Sequence, residues 1–265
     1  MLQVEQSDDG VGRIVLDRPD ARNALTIEMR DGIVQALRDF RADPDVRAVL
    51  ITGAGGAFCA GMDLSASTVA QAGTPGFTTR ATSEALRAGV HAFIRELWEL
   101  DKPTVAAVDG VAIGPGAHLA LACDFVIVQP ETRFMWTFPK WGLVVDAGGA
   151  YLLPRLLGMA RAKAAVMLGE TIRGAQAVEL GLAYQCADDA AALHATAKEL
   201  VTRLASGPTR SLGLSKRLLN ASFERDLSES LELEGYLQSL ATTSPDLIEG
   251  MNAFKEKRDA RFGGK

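Results

Sequence analysis

DGVAIGPGAHLALACD, residues 109–124, decides the fold of this chain together with AFCAGMDL, residues 57–64. Each stretch is a turn of small residues that follows an apolar run and leads toward a predicted helix. Such turns let backbone N–H groups approach a ligand without obstruction by side chains. Two of them facing one point would form an oxyanion hole, which stabilises the enolate of a thioester that loses its α proton. The second turn contains Pro115, which has no N–H to donate.

Composition and charge are those of an ordinary globular protein. The 265 residues are enough for one large domain, or for a core with an appendage. The net charge of −5 gives no electrostatic reason to expect a nucleic acid or an anionic membrane as partner. No signal-peptide pattern begins the sequence, and no apolar run reaches the roughly 18 residues of a membrane span. Cys59, Cys123 and Cys186 lack the spacing of a disulfide framework and favour a reducing compartment, so we expect a cytoplasmic protein.

Hydrophobic patterns predict a mixed α/β chain that becomes purely helical toward its end. Ser206-Gly207-Pro208 ends an Ala-rich helix and marks the change. We therefore divide the chain into a core, residues 1–207, and a C-terminal helical region, residues 208–265. Residues 64–80 show no period and are predicted as a loop. The predicted strands cover residues 12–16, 46–52, 104–108 and 125–128, and the predicted helices cover residues 26–40, 83–100, 115–123, 148–157, 161–168, 175–180, 190–205, 209–222, 227–243 and 245–261.

Five segments follow one another along the chain: LDRPDARNAL (16–25), GAFCAGMDL (56–64), KPTVAAVDGVAIGPG (102–116), WGLVVDAGGAYLLPRLLG (141–158) and EGMNAFKEKRDARF (249–262). Their order and spacing resemble the crotonase, or enoyl-CoA hydratase/isomerase, superfamily over nearly the whole chain. The resemblance implies an α/β spiral core of repeated ββα turns, with a C-terminal helical region that serves oligomerisation, usually into trimers or dimers of trimers. It also implies an acyl-CoA substrate, with coenzyme A as part of that substrate and no separate cofactor. No cluster with metal-ligand spacing is present in the sequence, so we expect no metal site.

The resemblance assigns the oxyanion hole to the two Gly-rich turns. Met62 matches the first donor, which acts through its backbone N–H. Pro115 falls where the second donor normally lies. Three explanations stay open: Gly114 or Gly116 donates instead, one donor suffices, or the enolate is poorly stabilised. Loss of one donor typically removes roughly 3–4 kcal/mol of transition-state stabilisation.

Hydratases of this family use two glutamates, and the matching positions here are His118 and Phe138. Ordinary hydration by the family mechanism is therefore not expected. Asp146 is the remaining carboxylate, and its surroundings are similar to those in Δ3,Δ2-enoyl-CoA isomerases of phenylacetate-type catabolism. There the aspartate removes a proton from C2 and returns it at C4. The resemblance favours an isomerase with Asp146 as acid and base; the structural alternative for Asp146 is an N-cap of the next helix.

Three other functions stay open. His118 could support hydration by an altered mechanism. His91 lies twelve residues before Pro103, where the related 4-chlorobenzoyl-CoA dehalogenases carry a histidine base. Asp146 would then be the nucleophile of a covalent hydrolysis. The missing glutamates and Pro115 also motivate a CoA-binding pseudoenzyme without catalysis.

The resemblance also assigns residues to substrate binding. Arg22 and Ala24 match the segment that contacts the nucleotide end of CoA, and Phe138 lies in an aromatic stretch that could line the acyl pocket. In the tail, Phe254 and Lys257 match residues that reach the CoA phosphate, often from a neighbouring subunit. The adenine-binding turn supplies Ala60, Asp63 and Leu64.

Overall fold

Nine short strands lie in the part of the chain that the structure describes, a computed structural model of residues 1–63 and 78–265. They are β1 (Leu2–Gln6), β2 (Val11–Leu16), β3 (Ala48–Gly53), β4 (Thr104–Val108), β5 (Val111–Ile113), β6 (Phe125–Val128), β7 (Arg133–Met135), β8 (Ile172–Arg173) and β9 (Gln185–Cys186). A six-stranded sheet has the order β1-β2-β3-β4-β6-β9, and a three-stranded sheet has the order β5-β7-β8. In the larger sheet β1 is antiparallel to β2, and all other neighbours are parallel.

Helices connect these strands and make up most of the C-terminal region. They are α1 (Ile27–Ala42), α2 (Thr79–Ala88), α3 (Val90–Trp98), α4 (Pro115–Leu121), α5 (Gly149–Leu157), α6 (Met159–Lys163), α7 (Gly174–Glu179), α8 (Ala190–Ala205), α9 (Thr209–Asn220), α10 (Leu227–Ala241) and α11 (Pro245–Glu256). The predicted α/β class with a helical end is confirmed. Thr26 caps α1 as expected, since its side chain accepts the Met29 N–H at 3.2 Å.

Several elements differ from the sequence prediction. The short strands β5, β7, β8 and β9 were not predicted, and the predicted helix 245–261 ends at Glu256. The predicted helix 83–100 is two helices, α2 and α3, because Gly89 between them has a non-helical backbone with φ −101° and ψ −108°. The predicted helix 161–168 is α6 followed by a π-helical turn, Ala164–Leu168. The strand β1 was not predicted, because its residues are largely polar and exposed and only its pairing with β2 holds it. Most of the predicted loop 64–80 lies outside the described residues.

The core has two layers, one on each face of the large sheet. Alternate side chains of a strand point to opposite faces, so Leu50 and Ile51 belong to different layers. On one face, Leu193, Ala197 and Val201 of α8 cover the sheet. The other face packs against α1, α3 and α4, which carry the site described below.

The C-terminal region is anchored to the core through a buried lysine. Lys216 of α9 forms a 3.0 Å ion pair with Asp124, and its Nζ also donates to the Leu97 carbonyl at 3.2 Å. Thr104 donates to the same carboxylate through its N–H and its hydroxyl, at 2.8 Å each. The predicted boundary at residues 207/208 falls in the turn between α8 and α9; as a domain division it stays a prediction. The exposed apolar side chains of α10 and α11 are Leu227, Leu231, Tyr236, Leu247, Ile248, Met251 and Phe254.

The thiols of Cys59, Cys123 and Cys186 are free, and burial raises the pKa of Cys59 and of Cys123 to about 12. Among residues 1–63 and 78–265, no helix combines the length and apolar character needed to cross a membrane. The same residues hold no group of three or more His, Cys, Asp or Glu side chains that could bind a metal ion.

Candidate active site

The two Gly-rich turns lie directly against each other. Cys59 N donates to the Val111 carbonyl at 3.0 Å, and Ile113 N donates to the Cys59 carbonyl at 2.9 Å. A Cβ at Gly116 would lie 2.6 Å from the Cys59 carbonyl oxygen, and a Cβ at Gly61 would lie 2.9 Å from that of Ile113. Real Cβ atoms do not approach this closely, so the small residues of both turns are required by the contact itself.

Four of the residues assigned to CoA come together beside the first turn. Ala60 N donates to the Arg22 carbonyl at 2.9 Å, and Asp63 N donates to the Leu25 carbonyl at 2.9 Å. The Ala24 carbonyl accepts a hydrogen bond from Arg18, which also pairs with Asp63. The segment 22–25 and the turn 60–63 therefore form one edge of the site. Leu64, the fifth member of this group, lies outside the described residues.

Met62 is placed so that its N–H faces away from this edge. It forms a parallel bridge with Leu25, in which Leu25 N donates to the Gly61 carbonyl at 2.7 Å and Asp63 N donates to Leu25. In a parallel bridge of this kind the central residue's own N–H and C=O point to the other side. The N–H of Met62 is thus directed away from segment 22–25.

Two polar residues that sequence reasoning missed hold this edge. Asn23 is fully buried, and its Nδ2 donates to the Ala54 and Ala57 carbonyls at 2.9 Å and 2.7 Å while its Oδ1 accepts the Arg18 N–H at 2.7 Å. Arg18 forms a 2.6 Å ion pair with Asp63. Asn23 also has a φ of 58°, which asparagine tolerates better than most residues. The sequence signal that could have identified Asn23 is its position in a turn, where asparagine tolerates a positive φ.

In the second turn, the N–H of Gly114 is not available as an oxyanion donor. Gly114 N already donates to the Met135 carbonyl at 2.8 Å, so it is engaged in the sheet connection. Gly114 has φ 51° and ψ −119°, a conformation that favours glycine. Pro115 is the first residue of α4, where proline suits the helix. Gly116 is the second residue of α4. The N–H groups in the first turn of a helix have no acceptor within the helix.

Asp146 lies in a tight turn immediately before α5. The N-cap of α5 is Gly148, so Asp146 does not occupy the capping position. Its carbonyl accepts the Gly149 N–H at 2.9 Å. Ala147 is fully buried with a φ of 45°, a left-handed conformation that costs a residue with a Cβ about 1–2 kcal/mol. The backbone of this turn is therefore held in place by its surroundings.

The carboxyl group of Asp146 is only partly accessible to solvent. Its Oδ1 is buried and has no hydrogen-bond partner in the described parts of the chain. Burial raises the pKa of Asp146 to about 6, because the ionised form loses solvation. A carboxyl group with an unpaired oxygen and a pKa near neutrality is suited to both accepting and returning a proton.

His118 and Phe138 are the residues that the family resemblance assigns to the two glutamate positions of hydratases. Their rings stack at a centroid distance of 6.1 Å and an interplanar angle of 12°. Both are buried, and the ring of Phe138 also lies 3.4 Å from the Cβ position of Gly114. Trp136, which is fully buried, donates its Nε1–H to Nε2 of His118 at 3.0 Å. Desolvation lowers the pKa of His118 to about 3, so the ring is neutral at physiological pH.

His91 lines the same groove as Gly148 of the Asp146 turn, and the tail residues are exposed. His91 faces a groove of about 1410 Å³ that is also lined by Gly148 and Tyr151. Burial, together with the charges of Arg95 and Arg87, lowers the pKa of His91. Among the tail residues assigned to CoA, Phe254 is 86% exposed. Lys257 ends α11 with a φ of 53° and is also exposed. Their predicted contact with CoA stays a prediction.

Comparison with known proteins places this chain in a family. The family model described as enoyl-CoA hydratase/isomerase matches residues 6–265. The 1,2-epoxyphenylacetyl-CoA isomerase of Escherichia coli (strain K12) is 39% identical over 260 residues, which are 97% of this chain and 96% of that protein. The similarity extends nearly from end to end in both chains.

Solved structures give the same result for the fold. The enoyl-CoA hydratase/isomerase of Cupriavidus metallidurans CH34 has a TM-score of 0.91 at 30% identity, covering 98% of this chain and 95% of that one. The enoyl-CoA hydratase of Bacillus anthracis has a TM-score of 0.90 at 29% identity, covering 100% of this chain and 99% of that one. The crotonase-like core with its C-terminal helices, expected from the sequence, is confirmed.

Proposed function

Because this chain belongs to the enoyl-CoA hydratase/isomerase family, we propose that it isomerises an enoyl-CoA thioester, with Asp146 moving one proton. The substrate is a 3-enoyl-CoA and the product is the conjugated 2-enoyl-CoA. One similar protein is named an isomerase and others are named hydratases. The choice between these activities therefore depends on the side chains at the site.

The unpaired, buried Oδ1 of Asp146 is the observation that carries the proposal. A carboxylate that only capped a helix would have its oxygens on backbone N–H groups, and here Gly148 is the cap. At pH 7–8 a carboxyl group with a pKa of about 6 is mostly ionised and can act as a base. After it takes the proton, it is an acid strong enough to return it.

The reaction is a single proton shuttle. The Asp146 carboxylate removes a proton from C2, and the electron pair of that C–H bond moves into the C1–C2 bond, which gives a dienolate with its charge on the thioester oxygen. The protonated Asp146 then delivers the same proton to C4, so the double bond moves from C3–C4 to C2–C3. No water, metal or redox partner is consumed.

The thioester oxygen would be held between the two Gly-rich turns. Met62 supplies the first N–H, which points away from segment 22–25. We assign the second N–H to Gly116, since Pro115 has none and that of Gly114 is engaged with Met135. Gly116 also packs against Cys59 of the first turn, which brings the two turns together at this position.

The alternatives have weaker support. Hydration needs a group that activates water, and the two glutamate positions hold a buried neutral imidazole and a phenyl ring that stack on each other. A dehalogenase-like hydrolysis needs His91 as the base for a water that attacks the acyl-Asp146 intermediate, and the pKa of neither His91 nor Asp146 is shifted by the other group. A pseudoenzyme would not need a buried carboxyl group with an unpaired oxygen, which is costly to keep.

Transfer of an isotope label tests the proposal. A 3-enoyl-CoA with deuterium at C2 is incubated with the wild-type protein in ordinary water, and the product is examined by mass spectrometry and NMR. A shuttle through one carboxyl group predicts 2-enoyl-CoA in which part of the deuterium has moved to C4. A 3-hydroxyacyl-CoA product would instead establish hydration, and binding without any turnover would establish the pseudoenzyme.

A further inference from the structure

Asn23 is a fully buried polar side chain whose amide oxygen and nitrogen both form hydrogen bonds. Its Oδ1 accepts the backbone N–H of Arg18 at 2.7 Å. A backbone N–H only donates, so the amide oxygen must lie on this side and the NH2 group must face the other way. On that side Nδ2 donates to the Ala54 carbonyl at 2.9 Å and to the Ala57 carbonyl at 2.7 Å.

The two carbonyls lie at the two ends of one tight turn, residues 54–57, which joins β3 to the first Gly-rich turn. A Cβ at Gly53 would lie 2.1 Å from the Ala57 carbonyl oxygen, so the chain folds back against the end of β3. Neither Ala54 nor Ala57 belongs to a strand or a helix. Their carbonyls therefore receive from the Asn23 side chain the hydrogen bonds that regular secondary structure provides elsewhere.

The same short segment also holds the far end of this loop, but there it uses its backbone. Leu25 forms a parallel bridge with Met62, and Leu25 N donates to the Gly61 carbonyl at 2.7 Å. The loop of residues 54–63 is thus attached to one segment at both of its ends. Backbone hydrogen bonds at the Met62 end do not depend on the side chain present, whereas the attachment at the other end depends on the amide of Asn23.

The backbone at this position also restricts which residue can make these bonds. Arg22 and Asn23 have φ angles of 49° and 58°, and asparagine adopts this left-handed conformation more readily than most residues. The site needs one acceptor and two donors in a buried position, which an asparagine amide supplies. An aspartate would have the same shape, but its carboxylate would lie against two carbonyl oxygens with no proton to share. The geometry therefore selects asparagine specifically.

We propose that Asn23 is a positioning residue for the oxyanion hole: its amide holds residues 54–57 in place and thereby sets where the first Gly-rich turn presents the Met62 N–H. Asn23 is fully buried, so it acts through the turn and not by touching the substrate. Position matters because an oxyanion donor must lie about 3 Å from the developing charge. The inference rests on the proposed function for the identity of the donor, but it does not depend on Asp146.

Kinetics of two Asn23 variants separate positioning from stability alone. Asn23→Asp keeps the acceptor for Arg18 but loses both donors, and Asn23→Gly tolerates the positive φ and keeps the test decisive if the buried carboxylate prevents folding. We expect kcat for a 3-enoyl-CoA to fall about 10–100-fold in folded protein. KM should change by less than about threefold, because backbone hydrogen bonds still join segment 22–25 to residues 60–63. The control Asn252→Asp is exposed on α11 and should keep wild-type kinetics. An unchanged kcat in the Asn23 variants would overturn the proposal.

The polarisation of a bound thioester carbonyl tests the position of the Met62 N–H without any turnover. The probe is hexanoyl-CoA labelled with ¹³C at the thioester carbonyl, which has no double bond to isomerise. Difference infrared spectroscopy of the wild-type complex should show the carbonyl stretch at a lower wavenumber than in the free probe. In the Asn23 variants, saturated with probe, we expect the loss of about half of this shift, since one of two donors is displaced. An equal shift in the wild type and in both variants would overturn the proposal.

The same spectra separate this inference from the proposed function. Asp146→Asn should keep the full carbonyl shift, since Asp146 moves a proton and does not hold the thioester oxygen. If the shift depends on Asn23 but the wild type isomerises no 3-enoyl-CoA, the positioning role stands and the proposed function fails. If the wild type isomerises its substrate and the Asn23 variants keep both the shift and kcat, the positioning role fails and the proposed function stands. A wild-type complex without any carbonyl shift would overturn the oxyanion assignment and this inference with it.

Discussion

Gly149 lies directly on the imidazole ring of His118, since a Cβ at position 149 would come within 2.2 Å of Cε1 and 2.4 Å of Nε2. This contact joins the first residue of α5 to the helix that follows the second Gly-rich turn. Asp146 begins the turn that Gly149 ends, and its carbonyl accepts the Gly149 N–H. The proposed catalytic carboxylate is therefore located by a contact that only glycine permits.

Replacing Gly149 with Ala is expected to destabilise the protein and to displace Asp146. Overpacking of this kind typically costs about 1–3 kcal/mol, measured here as the free energy of unfolding in urea. Gly235→Ala in α10 is the matched control, because nothing lies within 4 Å of its Cβ position. That control should be neutral or slightly stabilising, as alanine favours helices. Equal stability of Gly149→Ala and the wild type would refute the tight contact.

The rate of isomerisation should fall in acid, with a midpoint near pH 6. Burial raises the pKa of Asp146 to about 6, and only the ionised carboxylate can accept the C2 proton. The measurement is kcat/KM for a 3-enoyl-CoA between pH 5 and 9. A profile that is flat down to pH 5 would mean that the base has an ordinary carboxyl pKa or is another group.

Replacing Asp146 with Asn should stabilise the folded protein at pH 8. The carboxyl pKa is about 6 when folded and near 3.8 when unfolded, so at pH 8 burial of the charge destabilises the native state. Removing that charge should add about 1–2 kcal/mol to the free energy of unfolding. The gain should shrink as the pH falls through 6 toward 4, where the native carboxyl group becomes neutral. Urea unfolding of both proteins at pH 8 and pH 5 measures the gain in unfolding free energy and its decrease in acid. A gain that is larger at pH 5 than at pH 8 would contradict the account.

Replacing Pro115 with Ala restores the N–H that the family position normally supplies. If Gly116 is already the second donor, kcat should change by less than about threefold. A loss of about 0.5–1 kcal/mol in stability is expected, because proline at this position restricts the unfolded chain. A rise in kcat on the order of a hundredfold would instead show that the natural hole has one donor.

Elements that are determined by residues close together in the chain were predicted correctly from the sequence. The Ala-rich helix at residues 190–205 was predicted with its observed bounds, and Thr26 caps α1 as expected. The buried central strands also followed from their apolar runs. The small residues of both turns indicated a close approach, and the structure supplies it at Gly61 and Gly116.

What sequence reasoning missed depends on partners distant in the chain. Gly89, where the predicted helix breaks, packs against Arg30 of another helix, and β1 exists because β2 pairs with it. Trp136 and His118 are 18 residues apart, and their hydrogen bond has no signature in sequence spacing. Arg18 is paired with Asp63, which is 45 residues away. Such contacts become visible only when the spiral brings separate turns together.

The central claim is that Asp146 moves the proton, and turnover of a 3-enoyl-CoA by Asp146→Asn tests it most directly. An amide keeps the size of the side chain but cannot act as the base. We expect kcat to fall by about 10²–10⁴-fold with little change in KM, while the exposed control Asp188→Asn keeps wild-type activity. Undiminished turnover by Asp146→Asn would contradict the account.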